Sequence, residues 1–170
     1  TASRNMTNIT ISESGTVDAS ADLTNTRLFY DLDTIAPYDC ASESFSLADA
    51  VFGTAGSFSG ADGSLTFSGS VSISPTDTFC GYVVYDLTAS AADGETVNFS
   101  IENPSVDVVT TGGGAVAPSF EVGADTFTTI VDAEITQVNY HWRNDDGSEV
   151  GATSATGGSE NTPALAFAAD

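Results

Sequence analysis

The sequence predicts an all-β protein of antiparallel strands, and three observations carry that expectation. Helical periodicity is nearly absent, and the best helical stretch, residues 46–52, is short and weakly amphipathic. Apolar residues recur with a period of two instead, as in Ile9 and Ile11 or in Leu28, Tyr30 and Leu32. Gly, Pro, Asp and Ser then interrupt the chain about every 8–12 residues, the rhythm of short strands and turns.

Taken in order, Ile9 and Ile11 mark a first strand. Leu28, Tyr30 and Leu32 mark a second, with Asp31 and Asp33 on its opposite face. Leu65, Phe67, Val71 and Ile73 define a strand or bent pair ending before Pro75. Residues 79–87 are apolar on both faces, which predicts a central strand buried on both sides. Asp93-Gly94 reads as a tight turn into Val97, Phe99 and Ile101, so residues 79–101 are expected to form a hairpin. Val106, Val108 and Val109 give a further strand after Pro104.

Gly112-Gly113-Gly114 lacks the helix start and the lysine that a phosphate-cradling loop needs, and it reads as a linker. The expected organisation is therefore a main β domain over 1–116 and a smaller β segment over 117–170. Within the latter, 126–131 and 134–143 read as strands and Asn144-Asp145-Asp146-Gly147 as a turn, with 149–153 returning. Leu165 and Phe167 alternate in a short strand after Pro163.

Charge excludes more than any motif proposes. Three arginines and no lysine face 24 acidic residues, a formal net charge of −21 over 170 residues. Nucleic acid is excluded as a partner, because no cationic surface can displace its counterions. Polybasic attachment to anionic lipid is excluded likewise, and no apolar run approaches membrane-spanning length. With no lysine and one histidine, general acid–base chemistry would rest on carboxylates, and no enzyme is expected. Ten Phe, five Tyr and one Trp supply bulk for a core, so the acidity does not signify disorder. A chain beginning at Thr1 fits a processed protein or a piece of a longer one.

Cys40 and Cys80 are the two cysteines. A redox or metal pair would want closer spacing or histidine partners, so a structural disulfide in an oxidising, extracellular compartment is the expectation. Sequons at Asn5, Asn8 and Asn98 add little in so Ser/Thr-rich a chain. Two acidic loops are the places to look for calcium. One holds Asp145, Asp146 and Glu149, the other Asp31 and Asp33 with Asp39 nearby. Calcium needs six to eight oxygens and the EF-hand spacing is not met, so solvated turns are the simpler reading. His141 has no nucleophile elbow nearby, and Trp142 reads as a core residue in preference to a sugar-stacking one.

Residues 22–31 (Asp-Leu-Thr-Asn-Thr-Arg-Leu-Phe-Tyr-Asp), 78–87 (Thr-Phe-Cys-Gly-Tyr-Val-Val-Tyr-Asp-Leu) and 91–97 (Ala-Ala-Asp-Gly-Glu-Thr-Val) resemble an early strand, a central strand and its turn in one family. That family comprises secreted bacterial immunoglobulin-like β-sandwich modules, found beside sialidase-type propeller repeats and in large tandem-repeat surface proteins. Residues 140–149, Tyr-His-Trp-Arg-Asn-Asp-Asp-Gly-Ser-Glu, are similar to a recurrent segment of giant surface proteins of uncultured bacteria. The resemblance implies an immunoglobulin-like antiparallel sandwich, a cell-surface location, and scaffold or adhesion in place of turnover.

The expected function is a structural subunit of an extracellular filament, or one repeat of a surface fibre. Its partners would be further copies of itself or adjacent repeats. Strand donation between neighbours would use Ile9 and Ile11 at one end or Leu165 and Phe167 at the other. An adhesive or carbohydrate-binding module is the alternative; a carboxylate-pair hydrolase, needing two close buried carboxylates, comes third.

Overall fold

Alternating side chains need a partner sheet to bury one face, and the chain supplies two. The computed structural model describes residues 2–112, 116, 118–123 and 127–131. Its strands, in chain order, are β1 (Arg4–Glu13), β2 (Leu23–Asp33), β3 (Ala50–Val51), β4 (Ser64–Ile73) and β5 (Thr78–Leu87). The short strands β6 (Thr96–Val97), β7 (Phe99–Ile101), β8 (Val108–Thr110), β9 (Val122–Gly123) and β10 (Thr128–Thr129) follow. Two single-turn helices, α1 (Ala19–Asp22) and α2 (Pro104–Asp107), interrupt them. Asp18 caps α1 by accepting from the Ser20 and Ala21 amides. The Ser20 hydroxyl, which also donates to it, is the main cause holding the Asp18 carboxyl below its ordinary pKa.

The first sheet runs β4-β1-β7-β9, with β8 also paired to β1. Its spine is the antiparallel β1–β4 pair, from Arg4 opposite Ile73 to Ser12 opposite Ser64. A register shift between Met6 and Asn8 changes the phase of β1, so Met6 and Ile9 both reach the core although three positions apart. The second sheet runs β3-β2-β5, with β2 and β5 antiparallel from Leu23 opposite Leu87 to Asp33 opposite Thr78. Its irregularity lies between Thr24 and Arg27, where Asn25 takes a φ of 51°. β6 and β10 form a separate two-stranded pair. Antiparallel β structure is thus the architecture of the described residues.

Inward residues of both sheets enter one core. Met6, Ile9, Ile11 and Phe67 come from the first sheet, Leu23 and Leu28 from the second. Phe52, just past β3, ties them together: its amide donates to the Leu28 carbonyl, and its ring meets Tyr30 and Phe79 edge-on. The same ring covers Gly69 of β4, where a Cβ would stand 2.9 Å from Phe52 Cε2.

Two expectations about the chain path are corrected. Residues 79–101 are not a hairpin. β5 pairs with β2 while β7 pairs with β1, so the chain crosses between sheets after Leu87. The crossover is held to α1: Asp22 accepts from the Ser90 hydroxyl at 2.5 Å, and its carbonyl accepts the Thr88 amide. Among the described residues β5 is also not a central strand but lies at the edge of its sheet.

The chain divides into a unit over Thr1–Asp132 and another over Ala133–Asp170. Strands β9 and β10, which lie beyond the Gly-rich stretch and the expected boundary at 116, pair into the first unit through β7 and β6.

Three acidic residues are buried: Glu13, Asp22 and Asp33. None of the three sits in an ion pair among the described residues, whose one such pair is Arg27–Asp86 at 3.9 Å. Backbone amides and hydroxyls take the place of cations. Glu13 Oε1 accepts from the Gly15 and Asn98 amides at 2.7 and 3.0 Å, tying β1 to the residue between β6 and β7.

Candidate functional site

β5 forms because Thr78–Leu87 concentrates aromatic and β-branched side chains, which suit a pleated surface. Among the described residues no second sheet covers its outward residues Cys80, Tyr82 and Val84. The loop over residues 34–49 folds across them. The expected disulfide joins Cys40 to Cys80, with Cα atoms 5.8 Å apart. Thr78 Oγ1 donates to the Tyr38 carbonyl at 2.6 Å, and the Phe45 ring packs on Phe29 and Tyr82. Burial, then the nearby carboxylates of Asp31, Asp49 and Glu43, raises the Tyr82 phenol above its ordinary pKa.

The inward face is covered less completely. Phe79, Val83 and Tyr85 point toward the core yet stay half-buried, and Gly81 between them is exposed. Beside them lies an apolar groove of about 670 Å³. Phe79, Gly81 and Val83 form one wall, and Phe99, Ile101 and Val108 from the region of β7 and β8 form the other. Among the described residues Asp77 is the one charged residue lining it, and its carboxylate accepts the Ser74 amide. Tyr85 packs edge-on against Phe99, and burial, with Glu13 as the smaller cause, raises its phenol above the ordinary value.

Along this groove the lateral edge of β5 carries no strand partner among the described residues. Exposed edges are commonly blunted by Lys, Pro or inward charges. Residues 78–85 contain none of these. An uncharged edge, unpaired among the described residues, beside an apolar groove suits the uptake of an extended segment. Backbone hydrogen bonds would supply affinity, and pockets for alternate side chains would supply selectivity.

The residues singled out from sequence fall differently. Ile9 and Ile11 were expected as donor contacts, but they are 3% and 4% exposed in the protein's own core. β1 carries partners on both edges, so it is not available to a neighbour. Asp33 was a candidate calcium ligand in a loop read more simply as a solvated turn. It is 1% exposed, and its oxygens accept the Ile35 and Cys40 amides at 2.9 and 3.0 Å, organising the 34–49 loop from beneath. Asp31 lies opposite Cys80 on the loop-covered face of β2. Among the described residues no three His, Cys, Asp or Glu side chains are grouped to hold a metal ion. Asp145, Asp146, Glu149, Leu165 and Phe167 lie outside the described residues, as do His141 and Trp142.

Gly81 and the free edge were missed because apolarity on both faces was taken for a central position. Face burial and lateral pairing are independent: a strapped loop hides a face without touching the edge. The usable signal was Cys80 itself, whose bond to Cys40 predicts that a loop lies over β5.

No helix among the described residues is long and apolar enough to cross a membrane. Comparison with protein-family models, with curated proteins and with solved structures finds no match to this chain.

Proposed function

We propose that this chain is a non-enzymatic structural subunit, or one repeat, of an extracellular filament or surface fibre whose neighbours complete one another's sheets by strand addition. The observation that carries the reading is the edge of β5, unpaired among the described residues, beside an apolar groove. The strand order supports it. An immunoglobulin-like sandwich places strands A, B, E and D in one sheet and C, F and G in the other. With β1 as B, β4 as E, β2 as C and β5 as F, the chain after β5 returns to the first sheet beside β1. Among the described residues no strand fills position G beside β5, and in this reading a partner's strand takes it. The disulfide fits an oxidising compartment outside the cell.

The groove also fits the charge. Subunits carrying −21 each repel on contact between their surfaces, so cohesion has to come from a region with little charge. The groove wall, with Asp77 alone charged among the described residues, is such a region. Deleting residues 160–170 is expected to leave a folded, soluble monomer that no longer polymerises, as read by light scattering and negative-stain microscopy. Unchanged fibres after that deletion would remove strand donation by this segment. Deleting residues 1–12 is a poor test of donation, because it removes β1 from the protein's own sheet.

A further inference from the structure

We propose that the native state of this chain depends on concentrated salt. A diffuse atmosphere of monovalent cations, at an ionic strength on the order of 1 M, screens a surface that repels itself in dilute buffer. Charge and contacts carry this, with or without assembly into fibres.

A small domain needs a net charge of magnitude roughly 2–8 to stay soluble. This chain carries −21 over 170 residues, far more than solubility asks, and it has no lysine to offset it. Like charges on a compact body raise its free energy as the square of the net charge, whereas unfolding spreads the same charges apart. The repulsion therefore falls on the folded state.

The fold neutralises little of this internally. Among the described residues the cations are Arg4 and Arg27. The one ion pair there, Arg27 with Asp86 at 3.9 Å, joins side chains that are 33% and 56% exposed, a geometry worth little. Buried Glu13 and Asp33 are held by backbone amides, which bring no positive charge.

Elsewhere the fold draws carboxylates together. Tyr30 stands opposite Ala50 in the β2–β3 pair, so Asp31 and Asp49 occupy the next positions along their two segments. Like charges so placed are destabilising. The Tyr82 phenol, raised first by burial, is raised further by Asp31, Asp49 and Glu43 together, so their fields converge on it. Among the described residues no three His, Cys, Asp or Glu side chains are grouped to hold a metal ion, which leaves screening by mobile cations as the compensation. The screening length is about 8 Å at 0.15 M and about 3 Å at 1 M, so neighbouring carboxylates repel at the first and hardly at the second.

Urea is uncharged, and urea unfolding of the full chain in about 0.05 M and about 2 M potassium chloride provides the test. The midpoint is expected to rise by at least about 1 M urea between the two, at nearly constant slope. Sodium and tetramethylammonium chlorides should give the same rise, because screening depends on ionic strength and not on ion identity. Asp62, Glu102 and Glu121 are exposed and make no hydrogen bond or ion pair among the described residues. The combined variant Asp62→Lys, Glu102→Lys and Glu121→Lys takes the net charge from −21 to about −15, and the square law then cuts the rise to roughly half. The neutral triple Asp62→Asn, Glu102→Gln and Glu121→Gln should fall between variant and parent. Equal midpoints in dilute and concentrated salt would overturn the inference. So would a rise of one size in all three proteins, which would mark salting-out of apolar surface. A rise confined to one cation would overturn it in favour of a bound ion.

Discussion

Phe52→Ala is expected to destabilise the fold by about 3–5 kcal/mol, the range for removing a buried phenylalanine ring. Phe52 is 2% exposed and meets both sheets, touching Tyr30 and Phe79 on one side and Gly69 on the other. Little can move in to fill the space. Gly69 has no side chain to extend, and Tyr30 and Phe79 are stacked on each other at 5.0 Å. Urea denaturation should show a lower midpoint at nearly constant slope. A loss below about 1 kcal/mol would mean that Phe52 does not join the two sheets as described, because a buried ring that costs so little has relaxed surroundings.

Removing the disulfide, through Cys40→Ala combined with Cys80→Ala, is expected to cost about 4 kcal/mol in the chain-entropy model for a loop of this length. The bond spans 40 residues and is the one covalent strap holding the 34–49 loop against β5. Part of the loop should survive its loss, since Asp33 still accepts the Ile35 and Cys40 amides and Phe45 still rests on Phe29 and Tyr82. The double variant should therefore unfold earlier in urea and expose Tyr82 to solvent quenching before global unfolding. A stability equal to that of the parent would show that noncovalent contacts alone fix the loop.

Much of the fold was legible because alternation is local. Leu65, Phe67 and Val71 point inward in β4 as their spacing requires, and Leu28 and Tyr30 do so in β2. Pairing is not local. Nothing in residues 79–87 tells whether the next strand lies beside β5 or across the core, and the Asp93-Gly94 turn suits either path. In the folded chain Asp22 accepts from Ser90, 68 residues on, an interaction that local pattern cannot show. Burial of Glu13 and Asp33 was illegible for a related reason. A carboxylate reads as a surface residue unless backbone donors converge on it, and those donors come from loops whose course depends on the whole fold.

Of the donor contacts read from sequence, Leu165 and Phe167 lie outside the described residues. Leu165 and Phe167 stand out as an isolated alternating pair in a polar, acidic chain. Which strand stands at an edge among the described residues depends on pairings that alternation does not reveal.

Amide hydrogen exchange along β5 tests the central claim most directly, comparing the assembled protein with the monomer lacking residues 160–170. An added strand would satisfy the outward-pointing amides of β5, which alternate along it, while leaving β1 as it was. The expected result is a protection increase of at least about a hundred-fold at alternate amides within residues 79–85, with β1 unchanged. Equal exchange of β5 in fibre and monomer would contradict strand addition at this edge.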